Sequence, residues 1–571
     1  MAEKLISPGV FTAENDLSFV PAGVGEIGGA IVGPTVKGPA LVPTVVNSYA
    51  EYVQMFGDTF QSGSTVTEFL TSVSAREYLK HSGTLTVTRI LGAGFSNASS
   101  SVTKSGASGN SFILHTHADG AIMNSSGSET AGGVLGSGSK DNLRWEISTK
   151  NDSKGTFTLL IRRGDDTTKN KVILETWSGL TLDPNSPDYI AKRIGDTRHS
   201  LSADGTYLKP SGNYPNKSAY VYVRTVADQL DYLDTAGNVR VAAASQSLPA
   251  TGSGEFSGGE DGAAATGAKN MFDAITSTNS QGLKLDSGAS GSDQYTQAFN
   301  LLANQDDYDI NLLWAPGINN KDHSALCNTM ITTCENRGDC FAIVDPVGYG
   351  VNLSAATTEG GNEDSSYAGM YWPWVQTSAN GRFVWVPAST LMAGVMAFND
   401  KVAHEWFAPA GLNRGGLDTA IQAERKLTHA NRDTLYEANI NPLATFPGEG
   451  VCAWGQKTLQ RKASALDRIN VRRLLINLKK FIASTSRYLV FENNTSATRN
   501  RFLSSVNPYM ESVQEKNGLY AFKVVMDDTN NTPDIIDRNI MKGEIFLQPA
   551  KAAEFIVIDF NIMPTGATFE D

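Results

Sequence analysis

Asp345, Ser389 and His404 are the residue types of a nucleophilic triad: a hydroxyl to attack, an imidazole to take its proton, a carboxylate to orient the imidazole. The surroundings of Ser389 argue against that use. Val386-Pro387-Ala388-Ser389-Thr390 lacks the G-x-S-x-G turn that lifts a nucleophile clear of a sheet, and a helix N-cap is the simpler reading of this serine. His115 and His117 alternate on one strand face, yet no spaced set of cysteines, histidines or acids completes a metal site around them. Gly23-Val24-Gly25-Glu26-Ile27-Gly28 matches G-x-G-x-x-G but precedes a strand, where a dinucleotide site needs the glycines to open a helix. The four cysteines, Cys327, Cys334, Cys340 and Cys452, form no C-x-x-C pair and read as packed free thiols in a reducing compartment. No catalytic residue, cofactor or metal is expected.

One charge feature stands out. Lys457, Arg461, Lys462, Arg468, Arg472, Arg473, Lys479 and Lys480 run against a single acid, Asp467, in a chain whose net charge is −12. That overall charge argues against a general nucleic-acid binder, and no aromatics interleave with the basic run to stack on bases. Helical spacing lets Ile469, Leu475, Leu478 and Ile482 pack inward while Arg468, Arg472 and Lys479 face out, which suits docking on an acidic protein surface.

The elements that must position these residues alternate. Strands are expected at 27–32, 85–91, 310–314 and 340–344, with helices at 48–56, 67–80, 322–337, 390–398 and 417–439. Strand, helix, strand at this spacing is a parallel crossover. Between 96 and 299 the chain is rich in Gly and Ser and carries strands at 143–148, 156–163 and 171–177, which reads as a β-rich insertion. Beyond 440, helices at 467–483 and 497–517 with strands at 488–491, 520–526, 544–547 and 554–562 describe an α+β domain. With 571 residues the chain exceeds one core, and no run approaches the length of a membrane span. The start lacks the apolar core of a signal peptide, so an unexported chain is expected.

The ends carry the strongest signal. Phe555, Ile556, Val557, Ile558, Phe560 and Ile562 make a long apolar segment close to the C-terminus, and an open edge of that kind invites pairing. The first 20 residues, with Val10 and Phe11, form an extended arm without a core of its own. A strand paired entirely within its own chain would satisfy the C-terminal segment; strand addition between copies is an economical solution for both features and, being heterologous, propagates.

In this order of motifs the chain resembles the tail sheath proteins of contractile-tailed bacteriophages. The matching stretches include Ser7-Pro8-Gly9-Val10-Phe11, Ala315-Pro316-Gly317, Tyr371-Trp372-Pro373-Trp374, Ala408-Pro409-Ala410-Gly411, Arg487-Tyr488-Leu489-Val490-Phe491-Glu492, Asn530-Asn531-Thr532-Pro533 and Ala552-Ala553-Glu554-Phe555-Ile556. The resemblance implies a structural subunit, not an enzyme, forming six-fold rings stacked helically around a tail tube and contracting to drive it through the host envelope. It further implies contacts with baseplate and tail terminator proteins, no direct membrane insertion, and a place in the virion after assembly in the host cytoplasm. A sheath of a phage-derived injection system or bacteriocin fits the same residues. The expected architecture is an α/β core of subtilisin-like topology (21–95 with 300–440), inserted β-rich outer domains (96–299), an inner α+β domain (441–553), and terminal arms (1–20 and 554–571) exchanged between subunits. Arg468, Arg472 and Lys479 are the expected tube contacts.

Overall fold

The computed structural model describes residues 28–62, 65–125, 129–130, 132–226, 247–263, 275–285 and 290–558. The chain divides into two compact units, a larger one of 26–476 with 552–571 and a smaller one of 1–25 with 477–551.

The larger unit is built on one sheet. Its members, with the helices that cover them, are β1 (Gly28–Gly33), β2 (Thr44–Val46), α1 (Leu70–Leu79), β3 (Leu85–Arg89), α2 (Ser290–Leu302), β4 (Ile310–Trp314), α3 (Ser324–Arg337), β5 (Phe341–Val344), β6 (Ala368–Trp372), α4 (Ala388–Val402), β7 (Ile440–Phe446) and β8 (Gly450–Ala453). The strand order is β2-β3-β1-β4-β5-β6-β7-β8. The six central strands are parallel, and β2 and β8 are antiparallel edges.

The apolar runs of these strands follow from burial on both faces. Ile31, Leu312, Trp314, Phe341 and Ile343 point into one layer with Val73 of α1 and Leu391 and Met392 of α4. Their neighbours Ala30, Val32, Leu313, Ala342 and Val344 point the other way, against Tyr295 and Phe299 of α2 and Leu326, Met330 and Cys334 of α3. All four cysteines are buried and unbridged. The core resumes at α2 rather than at 300, and it does not stop at 440: β7 and β8 hydrogen-bond into the main sheet.

The expected helix over 417–439 is shorter, His429–Glu437, because Ala420–Ala423 joins a small antiparallel sheet instead. The insertion is β-rich, with a three-stranded and a four-stranded sheet around Phe112, Trp145, Phe157, Leu159 and Ile161. Buried Arg89 ties it to the core by donating to the carbonyls of Gly38 at 2.6 Å and Asp119 at 2.7 Å.

The smaller unit holds the last two turns and more of α5 (Ile469–Arg487, from Asn477 on), α6 (Ser496–Glu515), β9 (Leu519–Val525) and β10 (Glu544–Pro549). Residues 488–491, expected as a strand, form the turn between the helices, and Phe491 there has a positive φ of 72° and is fully exposed. Helix α6 buries Phe502, Val506, Met510 and Val513. Tyr509 of the same helix stacks on Phe481 at 3.6 Å between ring centroids and hydrogen-bonds Asn477.

Trp314 anchors the larger unit's sheet: it is fully buried, donates from Nε1 to Ser74 Oγ at 2.8 Å and packs on Tyr78. A Cβ on Gly29 would sit 2.4 Å from its ring, so the neighbouring strand is shaped around it. Trp314→Ala is expected to cost about 3–5 kcal/mol, read as a lower denaturation midpoint for the larger unit.

Candidate assembly surfaces

In a parallel α/β sheet, chemistry collects outside the carboxyl ends of the strands, at the point where the strand order reverses. Here that point lies between β1 and β4, and Ser280 and Gln281 occupy part of it. Ser280 Oγ donates to the Gly317 carbonyl at 2.7 Å, Gln281 Nε2 donates to the Pro316 carbonyl at 3.3 Å, and the Leu70 amide donates to Gln281 Oε1 at 2.9 Å. Gln281 is buried, with a positive φ of 54°.

The three triad-type residues are not assembled as a triad. Asp345, just past β5, accepts from Ser389 Oγ at 2.5 Å and from the Ser389 amide at 2.9 Å. It thus caps α4 from another strand. The N-cap residue itself is Pro387, so Ser389 lies inside the helix rather than capping it. His404 follows the far end of that helix, and 15 residues of α-helix span about 22 Å. Its ring stacks on Trp406. His115 and His117 both pack on Tyr222, at 5.4 and 5.3 Å between ring centroids, and burial pushes each imidazole down to about 4. Among the described residues, no group of three or more His, Cys, Asp or Glu could hold a metal ion.

The basic run serves the subunit's interior more than its surface. Arg473 pairs with Asp400, Nη1 to Oδ1 at 2.8 Å, and Lys457 donates to the Tyr436 carbonyl at 2.7 Å. Arg472, expected to face out, is buried, with its guanidinium 4.0 Å from the Tyr367 ring centroid and a hydrogen bond to Ser366. Arg468, also expected to face out, turns to Glu554. Lys479 alone of the three is exposed.

Glu554 is the feature that sequence reasoning missed. Its partners lie 86, 98 and 118 positions away in the chain, and no local pattern signals them. Its place at the root of an apolar run is the one hint available.

The ends fall as follows. Val10, Phe11, Phe560 and Ile562 lie outside the described residues. Phe555, Ile556, Val557 and Ile558, expected within a strand from 554, have no regular structure and are 79, 80, 82 and 67% exposed. A strand needs a partner, and these four have none within the described chain. In the smaller unit, β9 and β10 form a two-stranded ribbon, and no strand of the described residues lies beyond either edge. The cross-strand pairs Phe522–Leu547 and Val524–Ile545 are only half-buried, while Tyr520 and Phe546 are exposed.

Two expected outcomes follow from these contacts. Burial raises the Asp345 carboxyl to about 7 while the Ser389 hydrogen bonds pull it down. The folded state therefore holds this proton where the unfolded chain releases it near 4. Its contribution is complete below about pH 4 and is lost as pH rises towards 7. Asp345→Asn, neutral throughout, should flatten that decline, seen as melting temperature against pH. Arg472→Glu should lower the stability of the larger unit by about 2–4 kcal/mol, since it buries an unpaired charge, and chemical denaturation measures it.

Comparisons with known proteins agree with this arrangement. Residues 288–459 match the family model of the phage tail sheath protein central domain, and 461–563 that of the phage tail sheath C-terminal domain. The tail sheath protein of Vibrio phage KVP40 is 42% identical over 192 residues, 34% of this chain and 29% of its own length. That of Enterobacteria phage T4 is 39% identical over 187 residues, 33% of this chain and 28% of its own. That of Salmonella phage ViI is 30% identical over 289 residues, 47% of this chain and 46% of its own. The chain thus spans less than a third of the length of the Vibrio and T4 relatives it matches. Among solved structures, a sheath tail protein of Listeria innocua superposes with a TM-score of 0.53 at 11% identity, covering 89% of this chain and 90% of that one, a likeness of fold. The chain thus carries the central and C-terminal domains of phage tail sheath proteins.

Proposed function

We propose that the chain is the sheath subunit of a contractile phage tail, polymerising through strands that copies lend one another. The observation that carries this reading is the pairing of a deficit with a surplus. Among the described residues the β9–β10 ribbon has both outer edges unpaired and half-covered apolar pairs, and Phe555–Ile558 are exposed and without regular structure. A two-stranded ribbon alone is marginal in water, and added strands would complete both its hydrogen bonding and its apolar layer.

On this reading the copies form six-fold rings stacked helically around a tail tube. Exchange between non-equivalent surfaces leaves each copy with a donor and an acceptor still to satisfy, so growth continues. The N-terminal arm, with Val10 and Phe11, would occupy one edge, and Phe555, Ile556, Val557, Ile558, Phe560 and Ile562 another. The extended sheath would be a trapped packing that contracts when subunits move as rigid bodies into better contacts, the strands remaining joined. The energy is stored in assembly, so no catalytic residue is required. Partners would be the tube protein, the baseplate and the tail terminator. The setting would be the virion tail after assembly in host cytoplasm. Lys479, the exposed member of the basic trio, is the residue retained as facing an acidic tube.

A sheath of an injection machine is the second reading. The helical sheath of an anti-feeding prophage, solved in a contracted state, superposes with a TM-score of 0.50 at 14% identity over 97% of this chain and 98% of that one. The curated relatives, all phage proteins, favour the first.

Ending the chain after Glu554 should leave a folded protein that forms no polymer. Electron microscopy and sedimentation check this, and long tubes from the truncated chain would reject strand donation.

A further inference from the structure

Between 551 and 558 the chain has no regular structure, and every side chain is exposed except that of Glu554. Backbone register therefore does not hold this stretch. One carboxylate does. Arg468 grips it with two parallel bonds, Nε to Oε1 at 2.6 Å and Nη2 to Oε2 at 3.0 Å. Tyr436 Oη donates to Oε2 at 3.0 Å, and Gln456 Nε2 donates to Oε1 at 3.1 Å. Bidentate guanidinium–carboxylate pairs are among the stronger and more directional polar contacts.

The three partners come from separate places in the larger unit. Tyr436 is on the helix His429–Glu437, Gln456 follows β8, and Arg468 immediately precedes α5. Arg468 is itself steadied by Asp467 at 3.2 Å. Lys457 Nζ lies over the Tyr436 ring at 4.5 Å, and burial pushes the Tyr436 phenol up, so it remains a donor. This is a built carboxylate seat, and its occupant is the residue before the exposed apolar run.

We propose that Glu554 is a latch that positions the C-terminal arm: seated on Arg468, Tyr436 and Gln456, it fixes the point and heading from which Phe555–Ile558 leave the subunit to meet a second copy. The inference rests on the strand-donation reading and adds a cause to it. An arm rooted at a fixed point meets the neighbouring edge at a higher effective concentration, with less conformational freedom left to lose, than one free from β10 onward. Glu554 is a positioning residue in this scheme. It touches no partner copy itself.

The test uses the full-length protein and Glu554→Gln, which keeps the shape and removes the charge, with Glu554→Ala beside it. Both changes lie in a segment without secondary structure, so melting of the larger unit should stay near wild type. Loss of the bidentate contact should raise the rate of trypsin cleavage after exposed Lys551 roughly ten-fold, and slow polymer formation by a similar factor. Mass spectrometry and light scattering read the two rates. Polymer growth at the wild-type rate in both variants overturns the latch, whatever the cleavage rate does. The truncation after Glu554 separates the two ideas. A truncated chain that still polymerises defeats strand donation, whereas a truncated chain that stays monomeric while Glu554→Gln assembles normally defeats the latch alone.

Discussion

Edge strands impose a constraint that no amount of core packing relieves: a ribbon of two has one paired side per strand and another facing outward. In the smaller unit, β9 and β10 accept that condition. Their inner pairs, Phe522 with Leu547 and Val524 with Ile545, rest on a helix that cannot cover them fully, and Tyr520 and Phe546 are left in solvent. Proteins usually blunt such edges with charges, prolines or bulges. Here Lys523, Glu544, Pro549 and a register shift between Leu519 and Ala521 supply some of that protection. The proposed roles of the arm and of Glu554 rest on the edges that remain unpaired among the described residues.

The larger unit is built on opposite terms. Its sheet is covered on both faces, its edges are antiparallel strands, and several of its buried charged groups have partners from distant elements. The carboxylate of Asp345 closes the start of α4, Arg473 meets Asp400, and Arg472 lies against Tyr367. An α/β framework of this kind often hosts catalysis at the carboxyl ends of its strands. In this chain Ser280 and Gln281 occupy part of that region, and polar side chains hold loops and helix ends together. Under the proposed function, a firm unit and an incomplete one would be complementary requirements for a polymer whose copies stay joined while they shift.

Much of the larger unit was legible because its physics is local. Burial of β4 and β5 on both faces writes near-continuous apolar runs at 310–314 and 341–344, interrupted only by Asn311, and the helix between them ends at Gly338 in a left-handed cap. The failures are equally physical. Residues 488–491, Tyr-Leu-Val-Phe, have every propensity for a strand, yet two flanking helices leave them only a turn. Arg472 and Arg468 were expected outside because they are charged, although Arg472 stands three residues from both Ile469 and Leu475 and so lies beside the apolar face. Spacing alone could not reveal that Tyr367 and Glu554, from distant parts of the chain, cover that side as well. The same blindness to distance hid the carboxylate seat. A one-dimensional pattern shows which face is apolar, not what arrives to meet the other.

The segment holding Ser280 and Gln281 has a practical consequence. It lies between the β-rich insertion and α2, and it grips Gly317, Pro316 and Leu70 independently of the sheets that precede it. The β-rich insertion and the segment holding Ser280 and Gln281 are therefore distinct pieces of chain. The insertion could be exchanged for a foreign domain, provided the graft rejoins upstream of residue 275 and leaves that segment seated.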